Sequence, residues 1–287
     1  MNVNPSSLSL ARKRYLLSSR RLVAVAVAVA ALIMMGFYAV TNPGTLAYSG
    51  ALSGADWVGY AVCHRITSRS FILNGRQLPL CARCTGIYLG VALVFLIFWL
   101  SGRLRWSELP RLPILLAMLG FIGVMGIDGI NSYLHFFPNA PHLYTPRNWL
   151  RLVTGMGAGL TMGTLVMPAL AQTLWQQPVY RAPVGSWSEL GGLAAVGGAG
   201  VLLVLSNQPV VLYVLAFVSV AGIVLILTAI NCILLLVLLR RDAQMSRWRE
   251  TAVPLTFSLL LTLTQLLTIS FIRYTLTGTL AGFPGLN

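Results

Sequence analysis

The chain has 287 residues, of which 57% are hydrophobic and 9% are charged. A soluble domain carries about 25% charged residues, so this composition excludes an ordinary soluble globule and indicates an integral membrane protein. Its apolar segments are continuous, which favours membrane-spanning helices over a transmembrane barrel. The net charge of +14 does not indicate nucleic-acid binding, because the basic residues lie between apolar spans and form no basic domain with interleaved aromatic residues.

Seven apolar segments are long enough to cross about 30 Å of hydrocarbon at about 1.5 Å per residue. The first could be a signal sequence, but its apolar run exceeds the usual core of about 7 to 15 residues, so we interpret it as an anchoring helix. The sequence therefore predicts an all-α polytopic membrane protein with about seven transmembrane helices. They cover about residues 22–40, 85–101, 113–132, 149–171, 188–206, 210–239 and 252–275.

The distribution of Lys and Arg predicts the orientation of the chain. Thirteen basic residues fall on one side of the spans and seven on the other. Cytoplasmic loops carry the excess of basic residues, so we predict a cytoplasmic N-terminus and an external C-terminus. All three histidines, three of the four cysteines, and Asp128 then lie at the outer surface. Cys232 lies within a span, where ordinary packing is expected.

The loop before the second span, "CHRITSRSFILNGRQLPLCARC", predicts a metal site. Cys81 and Cys84 form a CxxC where a helix begins, and the helix N-terminus and Arg83 stabilise thiolates there. Cys63 lies 18 positions before Cys81 and supplies a third ligand, with His64 as the candidate for the fourth. Adjacent side chains of an extended segment point to opposite faces, so a water, or one of the two downstream histidines His135 and His142, could complete the shell instead. Zinc is the metal that this ligand set favours.

The same cysteines allow a different function. On an oxidising surface Cys81 and Cys84 could form a disulfide that Cys63 attacks, which would make the protein a membrane thiol-disulfide oxidoreductase. A third possibility is a non-enzymatic accessory subunit of a membrane complex. In all three cases the lipid bilayer is a partner, and the sequence leaves open whether the protein is an enzyme.

Two charged residues border consecutive spans at the predicted outer surface. Ionised groups at such positions usually find a partner or a wet cavity. We expect a direct ion pair between Asp128 and Arg151. The alternative is that Arg151, with Asn148, presents a charged fork to a carboxylate or phosphate above the thiols.

Glycines at intervals of four predict close helix packing in the fourth span. Gly155, Gly159 and Gly163 lie on one helical stripe, where another helix can approach closely.

The motif of "CH", "RSF", a glycine before "LPLCARCTGIYLG", and an Asp followed by "NWLRLVTG" resembles a bacterial and archaeal family of membrane proteins, domain of unknown function 2085. The resemblance covers about Trp57 to Gly163 and brings no established reaction with it. It implies a multi-pass protein of a prokaryotic cell membrane. We accordingly divide the chain into a basic N-terminus (1–21), a family-like four-helix domain (22–171) and additional helices (172–287). The family motif includes Cys63, His64, Arg69, Cys81, Arg83, Cys84, Gly86, Tyr88, Asp128, Asn148, Arg151 and Gly155. Of these we predict Cys63, His64, Cys81 and Cys84 as metal ligands. The other polar residues of the predicted site are Arg69, Arg83, Asp128, Asn148 and Arg151.

Overall fold

The structure, a computed structural model, describes residues 52–73, 75–137 and 140–280. The first predicted span, residues 22–40, lies outside the described residues. The described helices are α1 (Ser53–Val62), α2 (Ala82–Leu100), α3 (Leu112–Leu134), α4 (Asn148–Leu174), α5 (Trp187–Leu205), α6 (Pro209–Leu238) and α7 (Trp248–Thr277), and the strands are β1 (Ser70–Leu73) and β2 (Arg76–Cys81).

Helices α2 to α7 are each long and apolar enough to cross a membrane. They correspond one to one with the last six spans predicted from the sequence, including the short, glycine-rich fifth span, which is α5. The prediction of an all-α polytopic membrane fold is therefore confirmed. The domain boundaries stay a prediction.

The short connections bring alternate helix ends together at two ends of the bundle. We call the end with Cys81, Leu134 and Asn148 the outer end, following the predicted orientation, and the opposite end the inner end. At the inner end, short backbone bridges join Trp175 to Met245 and Trp106 to Val179. Helix α2 packs most extensively against α4 and next against α6, so α2 lies inside the bundle.

Glycines allow α2 and α4 to touch backbone to backbone. A Cβ placed on Gly90 of α2 would lie 2.8 Å from a backbone oxygen of α4, and a Cβ on Gly86, Gly155 or Gly159 would also collide with backbone of the facing helix. At Gly163 the added atom would lie 2.9 Å from a side chain of α2. The predicted role of the glycine stripe in close helix packing is confirmed. The contact fixes the first turn of α2 against the first turns of α4.

A β-hairpin, which the sequence analysis did not predict, links α1 to α2. Strands β1 and β2 are antiparallel, and Ser70 pairs with Cys81. Gly75 in the turn has φ +78°, which glycine adopts without strain. The alternating segment around an Asn-Gly pair, "SFILNGRQL", is a typical hairpin signal. The hairpin returns the chain toward the end of α1.

Candidate metal centre

Three cysteines from three separate elements converge at the outer end, and we call Cys63, Cys81 and Cys84 the sulfur cluster. Cys63 follows α1, Cys81 ends β2, and Cys84 lies in the first turn of α2. Their sulfur atoms all lie within 4.8 Å of one another, and all three are free thiols. Zinc bound at about 2.3 Å by each sulfur would hold the sulfurs about 3.8 Å apart. The cluster therefore needs to contract by no more than about 1 Å to bind an ion.

Close packing of α1 on the hairpin brings Cys63 to the other two cysteines. A Cβ on Gly59 would collide with the backbone carbonyl of Pro79, so only glycine permits this approach. At the base of the hairpin, Gln77 donates from Nε2 to the carbonyl of Arg65 and to the hydroxyl of Ser70, each at 2.8 Å. These contacts fix the segment after Cys63 against the strand that carries Cys81.

Two backbone N–H groups point at the sulfur of Cys63. The N–H of Cys81 lies 3.2 Å from it and the N–H of Arg65 lies 3.4 Å from it. Arg65 has φ 51°, an uncommon conformation for a residue with a side chain. Its guanidinium is buried and binds Asp56 at 2.9 Å and the carbonyl of Leu280 at 2.9 Å. Donors aimed at sulfur favour the thiolate, which is the form that binds a metal.

The helices that follow the family-like segment form one wall of the sulfur cluster. Ile223 of α6 and Leu266 of α7 pack with Cys63 and Leu80 in one buried apolar group. Arg273 of α7 donates from Nη1 to the carbonyl of Cys63 at 2.6 Å. The additional helices are thus part of the site's structure.

The thiols of the sulfur cluster differ in their pKa values. The pKa of the Cys81 thiol lies well below its ordinary value because hydrogen bonds from Cys63, and then Cys84, stabilise its thiolate. The pKa of Cys63 is raised to about 12, chiefly because of its hydrogen bond with Cys81. Cys81 is therefore the first sulfur to ionise, and a metal that binds all three must displace the remaining protons.

None of the three histidines joins the sulfur cluster within the described residues. The backbone of Cys63 is extended, with φ −121° and ψ 140°, so the next side chain points to the opposite face, and His64 is exposed. The rings of His135 and His142 lie 5.2 Å apart in the loop after α3, and both are exposed. The structure thus assembles three of the four predicted ligands and places His64 outside the group.

Asp128 forms an ion pair with Arg83, so the prediction that it pairs with Arg151 is wrong. Asp128 is buried in α3 and accepts hydrogen bonds from Arg83 and, at 2.8 Å, from the Tyr144 hydroxyl. The close α2–α4 contact places Arg83 of α2 within reach of α3, which sequence spacing does not reveal. Burial, followed by the bond to Asp128, raises the pKa of Tyr144 to about 12.

Arg151 instead joins two other arginines around Ser132, and we call Arg69, Arg83 and Arg151 the arginine cluster. Arg151 donates to Asn148 at 2.7 Å and, from Nε, to the Ser132 hydroxyl at 3.4 Å. Arg83 donates to the same hydroxyl at 3.2 Å, and Arg69 donates to the Ser132 carbonyl at 2.9 Å. Because Arg83 lies between Cys81 and Cys84 in the chain, this cluster adjoins the sulfur cluster.

A buried ion network before the hairpin was missed from the sequence. Asp56 of α1 is 1% exposed and binds Arg65 at 2.9 Å and Arg76 at 2.6 Å. The signal was available as a lone acid in the apolar segment "GADWVGYAV", because a buried charge needs a partner.

Comparison with known proteins shows that part of this chain is similar to a recognised family. Residues 63–165 match the family described as "Predicted membrane protein (DUF2085)". An uncharacterised protein of Methanothermobacter thermautotrophicus is 49% identical over 39 residues, which cover 14% of this chain and 35% of that protein. An uncharacterised protein of Methanocaldococcus jannaschii is 27% identical over 116 residues, which cover 40% of this chain and 68% of that protein.

The chain thus spans about a third of the length of the first relative and about two thirds of the second. No solved structure matches the chain significantly. The resemblance inferred from the motif is confirmed: over residues 63–165 the chain is similar to the DUF2085 family of membrane proteins.

Proposed function

We propose that the protein binds one zinc ion through Cys63, Cys81 and Cys84 at the external surface of a prokaryotic cell membrane. The observation that carries this proposal is the convergence of three sulfurs within 4.8 Å from three separate elements. Thiolates are soft ligands that suit Zn²⁺.

The donor set favours a metal over a disulfide as the function of the cluster. A disulfide would join two of the sulfurs and leave the third without a partner, whereas an ion uses all three. The two N–H groups at Cys63 would also stabilise the thiolate that forms when an ion displaces the proton of Cys63.

Three protein ligands leave one position of a tetrahedral zinc ion open. Structural zinc sites are usually closed by four protein ligands, while catalytic sites keep the fourth position for water or substrate. An exposed His64 next to the cluster could reach this position only if its segment turned. A zinc ion with an open position polarises a bound oxygen and lowers the pKa of bound water. The chain's own contribution is to hold the three sulfurs against an apolar wall.

Metal analysis of the purified protein tests the proposal. The protein is purified in mild detergent without chelators, and zinc is measured by mass spectrometry. We expect about one zinc per chain in the wild type and loss of most of it in Cys63→Ser or Cys81→Ser. Cys232→Ser is the matched control, because Cys232 is also buried but lies in α6 outside the cluster; it should keep the metal. Wild-type protein that is folded and metal-free would overturn the proposal.

The lowered pKa of Cys81 specifically favours thiol exchange as the second candidate function. Alkylation of intact cells, followed by measurement of protein mass, separates the two candidates. A mixture of Cys81–Cys84 disulfide and free thiols that shifts with the redox buffer would support an oxidoreductase. Thiols that become reactive only after chelation would support the metal centre. If neither result is obtained and another protein co-purifies in a stoichiometric amount, the protein is better explained as an accessory subunit.

A further inference from the structure

The arginine cluster carries more positive charge than its protein partners neutralise. Arg69, Arg83 and Arg151 contribute three positive charges and Asp128 contributes one negative charge, which leaves +2, or +1 when the neighbouring Cys81 is a thiolate. Within the described residues, Arg83 has a carboxylate within ion-pair distance and the other two arginines of the cluster have none. Arg151 is only 6% exposed. Charge buried in this way is costly unless an anion accompanies it.

Several guanidinium nitrogens of the cluster also lack hydrogen-bond acceptors among the described residues. The bonds that these arginines make go to Ser132, Asp128 and Asn148. The Nε of Arg83 is buried without a partner. The remaining donors are Nε and Nη1 of Arg69, Nη1 of Arg83 and Nη2 of Arg151. Such a set matches a ligand with several acceptor oxygens.

The arginine cluster lies at the outer ends of α3 and α4, where lipid headgroups are expected. Ser132 precedes the end of α3 by two residues, and Arg151 lies in the first turn of α4. Large exposed aromatic side chains surround these helix ends, and Arg69 stacks on one of them, with its guanidinium carbon 3.8 Å from the Phe136 ring centroid. Exposed aromatic residues mark the interface between hydrocarbon and water. They are Tyr133, Phe136, Phe137 and Trp149.

We propose that the arginine cluster binds a phosphate group, from a phospholipid headgroup or from a soluble phosphate ester. Planar guanidinium groups match phosphate oxygens in pairs and remain charged at all relevant pH values. A phosphate carries one or two negative charges, which offsets the excess of the cluster. Burial, and then repulsion from Arg151 and Arg83, lowers the pKa of Arg69 to about 10, and an anion at the cluster would reduce that repulsion. The proposal does not depend on the zinc site.

Lipid binding by the purified protein tests the phospholipid source. The protein in an uncharged detergent is titrated with phosphatidylglycerol, and adducts are counted by native mass spectrometry. Diacylglycerol with the same acyl chains is the matched lipid, because it lacks only the phosphate headgroup. We expect a phosphatidylglycerol adduct that diacylglycerol does not form, weakened about tenfold or more in Arg151→Gln. Arg147→Gln removes the same charge from an exposed position immediately before Asn148 at the outer end and should bind like the wild type.

The soluble source is tested in parallel with glycerol phosphate and inorganic phosphate. If either raises the thermal midpoint of the wild type but not of Arg151→Gln, and the two lipids bind alike, the ligand is a soluble phosphate. If Arg151→Gln does not fold, Arg69→Gln, at a partly exposed position, and Arg151→Lys replace it in these binding measurements. The zinc content should stay unchanged in Arg69→Gln. The proposal is overturned if no phosphate compound binds, if acetate acts as strongly as phosphate, or if Arg147→Gln loses as much binding as the cluster variants.

Discussion

The two ends of the helix bundle use arginine in opposite ways. At the outer end, six of the seven arginines are buried or partly buried and Arg147 is exposed. At the inner end, six of the eight arginines in the described residues are exposed and the other two, Arg103 and Arg105, are partly buried. The inner end therefore has more arginines than the outer end, but their side chains make fewer contacts inside the protein.

This difference separates arginines that orient the chain from arginines that build a site. Exposed basic residues on one side are sufficient to set membrane orientation. At the outer end the guanidinium groups instead bind carboxylates, carbonyls and a serine hydroxyl, and they organise the loop that carries the cysteines. Net charge alone does not distinguish these roles, but burial does. Variants at the two ends should therefore differ in their effect on stability.

The largest effect is expected at the outer end for Asp56→Asn. The change leaves Arg65 and Arg76 without their carboxylate in a buried position, and breaking such a pair costs about 3–5 kcal/mol. It should also loosen the turn whose N–H points at Cys63, so alkylation of Cys63 should become faster. Thermal unfolding in detergent and timed alkylation measure the two effects. Glu108→Gln, an exposed acid at the inner end, is the control, and an equal loss there would contradict the contrast.

A smaller effect is expected for Ser132→Ala. The serine is fully buried and its hydroxyl accepts from Arg83 and Arg151, so its removal leaves buried donors unpaired at a cost of about 1–3 kcal/mol. Ser101→Ala removes an exposed serine at the inner end and should change the thermal midpoint less. Equal midpoints for the two variants would show that the arginine cluster does not depend on Ser132.

Arg103→Gln should have a small effect although it breaks an ion pair. Arg103 binds Glu189 at 2.7 Å at the inner end, where the two side chains are 25% and 32% exposed. Pairs with this exposure contribute about 0–1 kcal/mol. Thermal unfolding at low and high salt should show a difference from wild type that shrinks as salt rises. A loss as large as that of Asp56→Asn would remove the contrast between the ends.

The double change Arg240→Gln and Arg241→Gln should leave the thermal midpoint unchanged. Both residues are exposed in the loop between α6 and α7, and exposed substitutions of this kind usually have little effect on stability. Orientation should also persist, because eleven basic residues would still face seven across the membrane. Protease protection in membrane vesicles measures orientation, and an inverted chain would contradict the charge count.

The sequence predicted the features that depend on a local pattern of residues. It did not predict the contacts that depend on how separate helices pack together. Apolar length predicted the six spans, and the spacing of Cys63, Cys81 and Cys84 predicted their convergence. The predicted partner of Asp128 was wrong because the glycine contact between α2 and α4 brings Arg83, and not Arg151, within ion-pair distance of Asp128. The hairpin spans only twelve residues, 70–81, in a loop where the spacing of the cysteines is the more prominent pattern.

Arg273 has a consequence for the order in which the protein is made. Its guanidinium binds the carbonyls of Tyr60 and Cys63, more than 200 positions earlier in the chain. During synthesis, the segment that carries Cys63 therefore cannot complete these contacts until α7 has been made. A chain truncated before Trp248 should leave Cys63 open to alkylation at the cell surface, whereas the full chain should protect it. Closure of the chain around Cys63 is therefore a late step of folding.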